Sequence, residues 1–222
     1  MLALSTALAL LAPTAVPAET RAPIFTFEPA ARAALFATSA EDKAPADFSY
    51  TFIQLGYSVI DLDAIDDDAS GLTGRASVGL LGFLYVFLDY ANQTTDFQNS
   101  DSDSFGLGAG AHFSVAPRFD LVGEAAWLSN DIASDLSTLD DSNDGWTAMA
   151  GARWMPMPWE GGGLELDGGY RWIDMKGLLS DEETSAWEVG ARVHFLKHLS
   201  VGASYSFLEQ DRQWGVNARV SL

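Results

Sequence analysis

Ten charged side chains recur at alternate positions of runs that otherwise read Gly, Ser, Thr and Ala: Arg75, Asp89, Glu124, Arg153, Glu165, Asp167, Arg171, Glu188, Arg192 and Arg219. Five are basic and five acidic. Balanced charges among small residues suit a confined space in which each ion needs a partner, because burying an unpaired charge costs several kcal/mol. Closed into ion pairs they would fill that space; separated by water they would line a narrow passage. Arg75 and Asp89 fall on adjacent runs, and Glu165, Asp167 and Arg171 share one face with Arg153 on the neighbouring run.

Hydrolysis would need a histidine beside an acid or a hydroxyl near the long connections. The three histidines, His112, His194 and His198, all fall close to the short connections and read as rim or interfacial side chains, so no catalytic residue is assigned. The longer connections instead hold 19 of the 31 acids, opposed only by Lys176 and Arg212. Asp66, Asp67 and Asp68 are weak candidates for a bridging Ca²⁺ or Mg²⁺; the segment lacks the Gly-centred spacing of a dedicated calcium loop, and the competing reading is a solvated loop.

The elements that must position these residues are strands. From Phe105 to Val115, apolar side chains occupy Phe105, Leu107, Ala109, Ala111, Phe113 and Val115, with Gly, His and Ser between them. A strand sends alternate side chains to opposite faces, so each such run has one oily face and one small or polar face. Ten strand candidates follow, at 50–60, 71–80, 84–93, 104–115, 119–129, 145–154, 163–173, 186–195, 199–208 and 213–222. The apolar stretch Ala76 to Leu88 is split by Gly82 into two strands in normal phase, and is too short to cross a membrane as a helix. Connections alternate between short (81–83, 116–118, 155–162, 196–198) and mostly longer (61–70, 93–103, 129–144, 174–185, with a brief 209–212). Antiparallel up-and-down strands collect the short turns at one rim and the other loops at the opposite rim. The fold class expected is all-β, a closed antiparallel up-and-down transmembrane barrel of about ten strands, with eight as the alternative.

The oily face runs through Leu55, Tyr57, Leu72, Trp127, Trp146, Trp154, Trp172, Trp187 and Trp214 without a charge. A water-facing strand surface would carry Lys and Glu freely, so this face is expected to meet lipid and the ten charges to meet the axis. Aromatic residues near strand ends match the girdles of membrane interfaces. A soluble lipid carrier with the oily face inward is the competing fold.

The bulk composition agrees. With 12 Lys and Arg against 31 Asp and Glu, a net charge of −19 argues against a nucleic-acid partner, and the lack of cysteine excludes disulfides and thiolate chemistry. Residues 1–18 read as a signal peptide, apolar and then rich in small residues up to Ala18; no Lys or Arg precedes the apolar stretch, which leaves room for a start upstream of Met1. Residues 19–47, rich in Ala and Pro, read as a periplasmic tail or linker, and 48–222 as the barrel.

The segments Tyr50-Thr-Phe-Ile-Gln-Leu-Gly-Tyr57, Phe87-Leu-Asp-Tyr90 and Phe113-Ser-Val-Ala-Pro-Arg-Phe-Asp-Leu-Val122 resemble the small proteobacterial outer-membrane barrels of the OmpA-like or opacity type. The resemblance covers roughly Phe48 to Leu222. It implies assembly by the outer-membrane insertion machinery and a setting of outer-membrane lipid and lipopolysaccharide. Two departures stand out: many relatives have eight strands, and the run Trp214, Val216, Ala218, Val220 closes on Leu222 where these barrels usually end in Phe or Trp. The expected function is a non-enzymatic outer-membrane protein that stabilises the envelope and displays acidic loops. The alternative is a narrow porin-like channel for small solutes or cations. The sequence carries no signal for a specific ligand or an oligomeric state.

Overall fold

Alternating oily and small residues, punctuated by Gly, Pro and charged pairs, form strands where the period of two predicts them. The computed structural model describes residues 48–62, 67–95, 100–134, 141–176, 181–208 and 211–222. The expected signal peptide, the whole of the expected tail 19–47, and Asp66 lie outside the described residues. The strands are β1 (Phe52–Leu62), β2 (Asp67–Leu81), β3 (Leu84–Thr95), β4 (Ser100–Ala116), β5 (Phe119–Ser134), β6 (Asp141–Trp159), β7 (Gly162–Lys176), β8 (Asp181–Leu196), β9 (Leu199–Leu208) and β10 (Arg212–Ser221). Each pairs antiparallel with its sequence neighbours, and β1 pairs with β10 to close the barrel. Ten strands, not eight, make the wall, and closure leaves no sheet edge with unpaired peptide groups.

One rim carries four two-residue turns: Gly82-Phe83, Pro117-Arg118, Glu160-Gly161 and Lys197-His198. In each of these hairpins the register shifts just before the turn, between Gly79 and Leu81, Ser114 and Ala116, Trp154 and Met157, and His194 and Leu196. Such bulges sharpen the local twist and let a tight turn join strongly twisted strands. Gly161 and Arg118 hold the positive-φ positions, at 78° and 66°. The segment Met155 to Trp159, expected within the short connection 155–162, belongs to β6 and carries Pro156 and Pro158. Pro156 falls inside the bulge, and beyond Trp154 β6 no longer pairs with β5. Both prolines are therefore free of the ladder demand that would exclude them from a central strand.

At the opposite rim the strands outrun their expected ends. β6 reaches 19 residues, and Asp67 and Asp68, expected in a loop, stand in β2 opposite Leu62 and Asp61. Polar Ser, Thr, Asn and Asp continue the ladder there because water satisfies side chains on both faces.

The oily face points outward. Leu55 is 68% exposed, Trp187 63% and Trp146 60%, whereas Arg219 on the other face is 8% exposed. Two aromatic belts bound this surface: Phe113, Trp154 and Phe195 toward the short turns, Tyr57, Tyr90, Trp146 and Trp187 toward the other rim. Eight residues separate Trp146 from Trp154; at about 3.3 Å per residue and a tilt of about 45° they span roughly 20 Å of height. Tyr90 turns its hydroxyl toward water and donates to Asp103 Oδ1 at 2.8 Å. No helix among the described residues is long and apolar enough to cross a membrane.

Candidate functional site

The interior divides into an aromatic layer near the short turns and an ionic layer beside it. On β3, Tyr85 and Phe87 point inward against Gly110 and Gly108, their direct partners on β4. A Cβ at either glycine would collide with the facing ring, so the glycines make room for the aromatics. Phe48 and Tyr50, preceding β1, fold into the same layer with Val122 and Met155. The Tyr50 ring stacks on His112 with centroids 3.8 Å apart and on Tyr85 at 4.9 Å. Its hydroxyl donates to Asp120 Oδ2 at 2.9 Å, and Ser114 Oγ donates to Asp120 Oδ1 at 2.7 Å. The expectation of a lumen lined by small residues and charges alone is therefore corrected: large rings fill one end. Tyr50, expected to open the first strand, is instead part of that filling.

Arginines cap the rings. Arg75 lies 4.1 Å from the Phe87 centroid, Arg153 4.6 Å from Phe48, and Arg219 3.8 Å from Phe52. A guanidinium over a ring face is attracted by its quadrupole, more strongly when water is excluded. Each arginine also reaches polar partners. Arg75 Nη2 donates to Glu124 Oε1 at 2.5 Å across the lumen, and Arg75 Nε stands 3.6 Å from Asp89, the adjacent-strand neighbour. Tyr85 donates to the same Glu124 oxygen at 2.8 Å. Arg171 grips Glu188 through two bonds of 2.6 and 3.2 Å.

Glu165 is the hub. It is 1% exposed, and its Oε1 accepts from Arg153 at 2.8 and 3.1 Å and from Arg192 at 3.3 Å, while Oε2 lies 2.8 Å from His194 Nε2. Asp167, two residues on, forms no ion pair among the described residues. Arg192 and Arg219 meet elsewhere: Gln54 Oε1 accepts from Arg192 Nη2 at 2.9 Å and from Arg219 Nε and Nη2 at 3.0 and 2.8 Å. Asn217 Oδ1 accepts a further Arg192 bond of 2.9 Å. Beside these groups lies a cavity of about 210 Å³, lined by Arg75, Arg153, Arg192 and Arg219 and by Glu165, Asp167 and Glu188.

The histidines correct a second expectation. His112 and His194 are lumen side chains; only His198 sits on a turn, 2.9 Å from the Ser221 carbonyl through Nδ1. Glu165, His194 and Ser200 bring acid, base and hydroxyl onto adjacent strands, Ser200 being the register partner of His194. Ser200 is 2% exposed and its hydroxyl makes no hydrogen bond, so this trio lacks both an activated nucleophile and a path for substrate. At the far rim Asp67 accepts from Thr95 at 2.7 Å, and Asp68 is exposed. Among the described residues no group of three or more His, Cys, Asp or Glu is arranged to hold a metal ion.

Sequence reasoning missed Gln54, Asn217, Tyr85 and the aromatic layer. One signal was present: Phe52, Tyr85 and Phe87 fall in phase with the small face, opposite a run in which Gly106, Gly108 and Gly110 alternate.

No family model matches the chain, and no curated protein matches it in sequence. Among solved structures it is similar to a loop L8 deletion mutant of OmpT, an outer membrane protein of Vibrio cholerae, at 12% identity and TM-score 0.37 over 76% of this chain and 62% of that one. It is also similar to the translocator domain of autotransporter NalP from Neisseria meningitidis, at 15% identity and TM-score 0.48 over 76% and 86%. An outer membrane channel from Pseudomonas putida F1 matches at 10% identity and TM-score 0.49 over 80% and 97%. At these identities and scores the likenesses assign no activity to this chain.

Proposed function

We infer that this chain is a non-enzymatic barrel protein of the bacterial outer membrane, of the small OmpA-like or opacity type, that stabilises the envelope and presents an acidic rim to the outside. An apolar exterior bounded by aromatic belts is matched to lipid, and in hydrocarbon only a closed barrel or a helix satisfies every peptide group. The observation that carries the structural role is the filled interior: Tyr85, Phe87, Glu165 and Arg192 are each almost wholly buried where an open channel would be wet. A barrel of this strand number is little wider than one whose side chains fill it.

The outward face beyond the upper aromatic belt supports the acidic-display reading. Asp61 stands opposite Asp68, and Asp103 opposite Asp131, on paired strands. Like charges in register repel, and anionic lipopolysaccharide beside them adds to the repulsion unless Ca²⁺ or Mg²⁺ intervenes. The second reading, a narrow porin-like channel for small solutes or cations, draws on the cavity of about 210 Å³ in the lumen. Planar-bilayer recording of refolded protein separates the two. A silent membrane, with heat-modifiable migration as proof of folding, is expected; discrete, salt-dependent openings would establish the channel.

A further inference from the structure

Three guanidinium N–H groups from two arginines converge on one neutral acceptor, Gln54 Oε1. A carbonyl oxygen has two lone pairs, so the arrangement crowds donors where an anionic oxygen would hold them better. Charge is short there as well. Glu165 is shared among Arg153, Arg192 and His194, and Arg219 forms no ion pair among the described residues. Arg192 and Arg219 are 6% and 8% exposed, a setting in which two like charges repel strongly. Arg192 Nε is buried without a hydrogen-bond partner, and both arginines line the cavity of about 210 Å³ with Gln54, Asn217 and Ser204.

We propose that this chamber is a binding site for one small oxyanion of the carboxylate or phosphate class, held between Arg192 and Arg219. The anion supplies the negative charge that the neutral Gln54 amide lacks and takes up donors the protein leaves unused. Arg75 and Arg153 line the same chamber but are paired with Glu124 and Glu165, so the uncompensated positive charge lies at Arg192 and Arg219, while Asp167 and Glu188 on the wall limit the site to a singly or doubly charged ligand of small size. The site stands whether or not the lumen conducts, so bilayer recordings and the experiment below report separately.

The test uses the full barrel folded in neutral detergent, its thermal midpoint followed by the loss of the fast-migrating gel form. Inorganic phosphate, acetate and chloride are compared at equal ionic strength. A saturable upward shift with phosphate or acetate, absent with chloride, is expected. Arg219→Gln should abolish that shift. Gln54→Glu should place a carboxylate on the same donors, raising the midpoint in chloride and removing the response to added oxyanion; it decides the matter if the arginine variant does not fold. Wild type without a saturable shift overturns the proposal. So does any folded variant of the two that responds as wild type does, since that pattern is general salt exclusion.

Discussion

The outer and inner walls of this barrel are built from the same strands and obey different rules. Outside, Leu55 and Val216 lie on a surface where any apolar side chain of suitable size meets lipid equally well. Inside, Glu165 holds Arg153, Arg192 and His194 at once, and Tyr50 is seated between His112 and Tyr85 with its hydroxyl on Asp120. The outer wall therefore depends on residue class, because apolar transfer is non-directional. The inner wall depends on residue identity, because an ion or hydroxyl out of water needs a partner at one distance and angle.

Substitutions on both walls, read by urea unfolding of the protein in lipid vesicles, put this contrast at risk. Glu165→Gln should have the largest effect, about 3 to 5 kcal/mol of lost stability, since it leaves buried cations without a counter-charge. Leu55→Arg breaks the class rule of the outer wall and should cost about 2 to 4 kcal/mol toward the middle of the apolar band, less if the band is thinner than a bilayer core. Tyr50→Phe removes only the hydroxyl bond to Asp120 and should cost about 1.5 to 3 kcal/mol, with the stacking retained. Val216→Leu, which changes identity within the class on the outer wall, should stay within about 0.5 kcal/mol. A cost for Val216→Leu comparable to that of Tyr50→Phe would mean that the exterior is packed against a specific partner and would end the distinction.

Much of the architecture was legible before any coordinates. The alternation in Phe105 to Val115 and the break at Gly82 identify strands and their faces, because a period of two is a local property of extended backbone. The strand extensions at the long-loop rim were not legible: Asp67, Asp68, Asp101 and Asp103 carry no oily phase, and only the continuing ladder with a neighbour marks them as strand. Met155 to Trp159 misled for the opposite reason. It lies in the span read as a short connection, and its two prolines stay in a strand because a bulge and a missing neighbour release them from donating. Among the candidate charges, Arg75 with Asp89 follows from adjacency, yet the shorter contact runs across the lumen to Glu124.

The sequence by itself determined the two faces, the approximate strand positions and the side of the wall that each charge occupies, since these follow from hydrophobic period and turn spacing, while the choice of ten strands over eight came with closure of the barrel. The tertiary structure alone decided which charges meet. Gln54 and Arg192 are 138 residues apart and touch only because β1 closes on β10 and the lumen is narrow enough for side chains to cross it. Register and closure are long-range constraints, and no local pattern encodes the partner that they deliver.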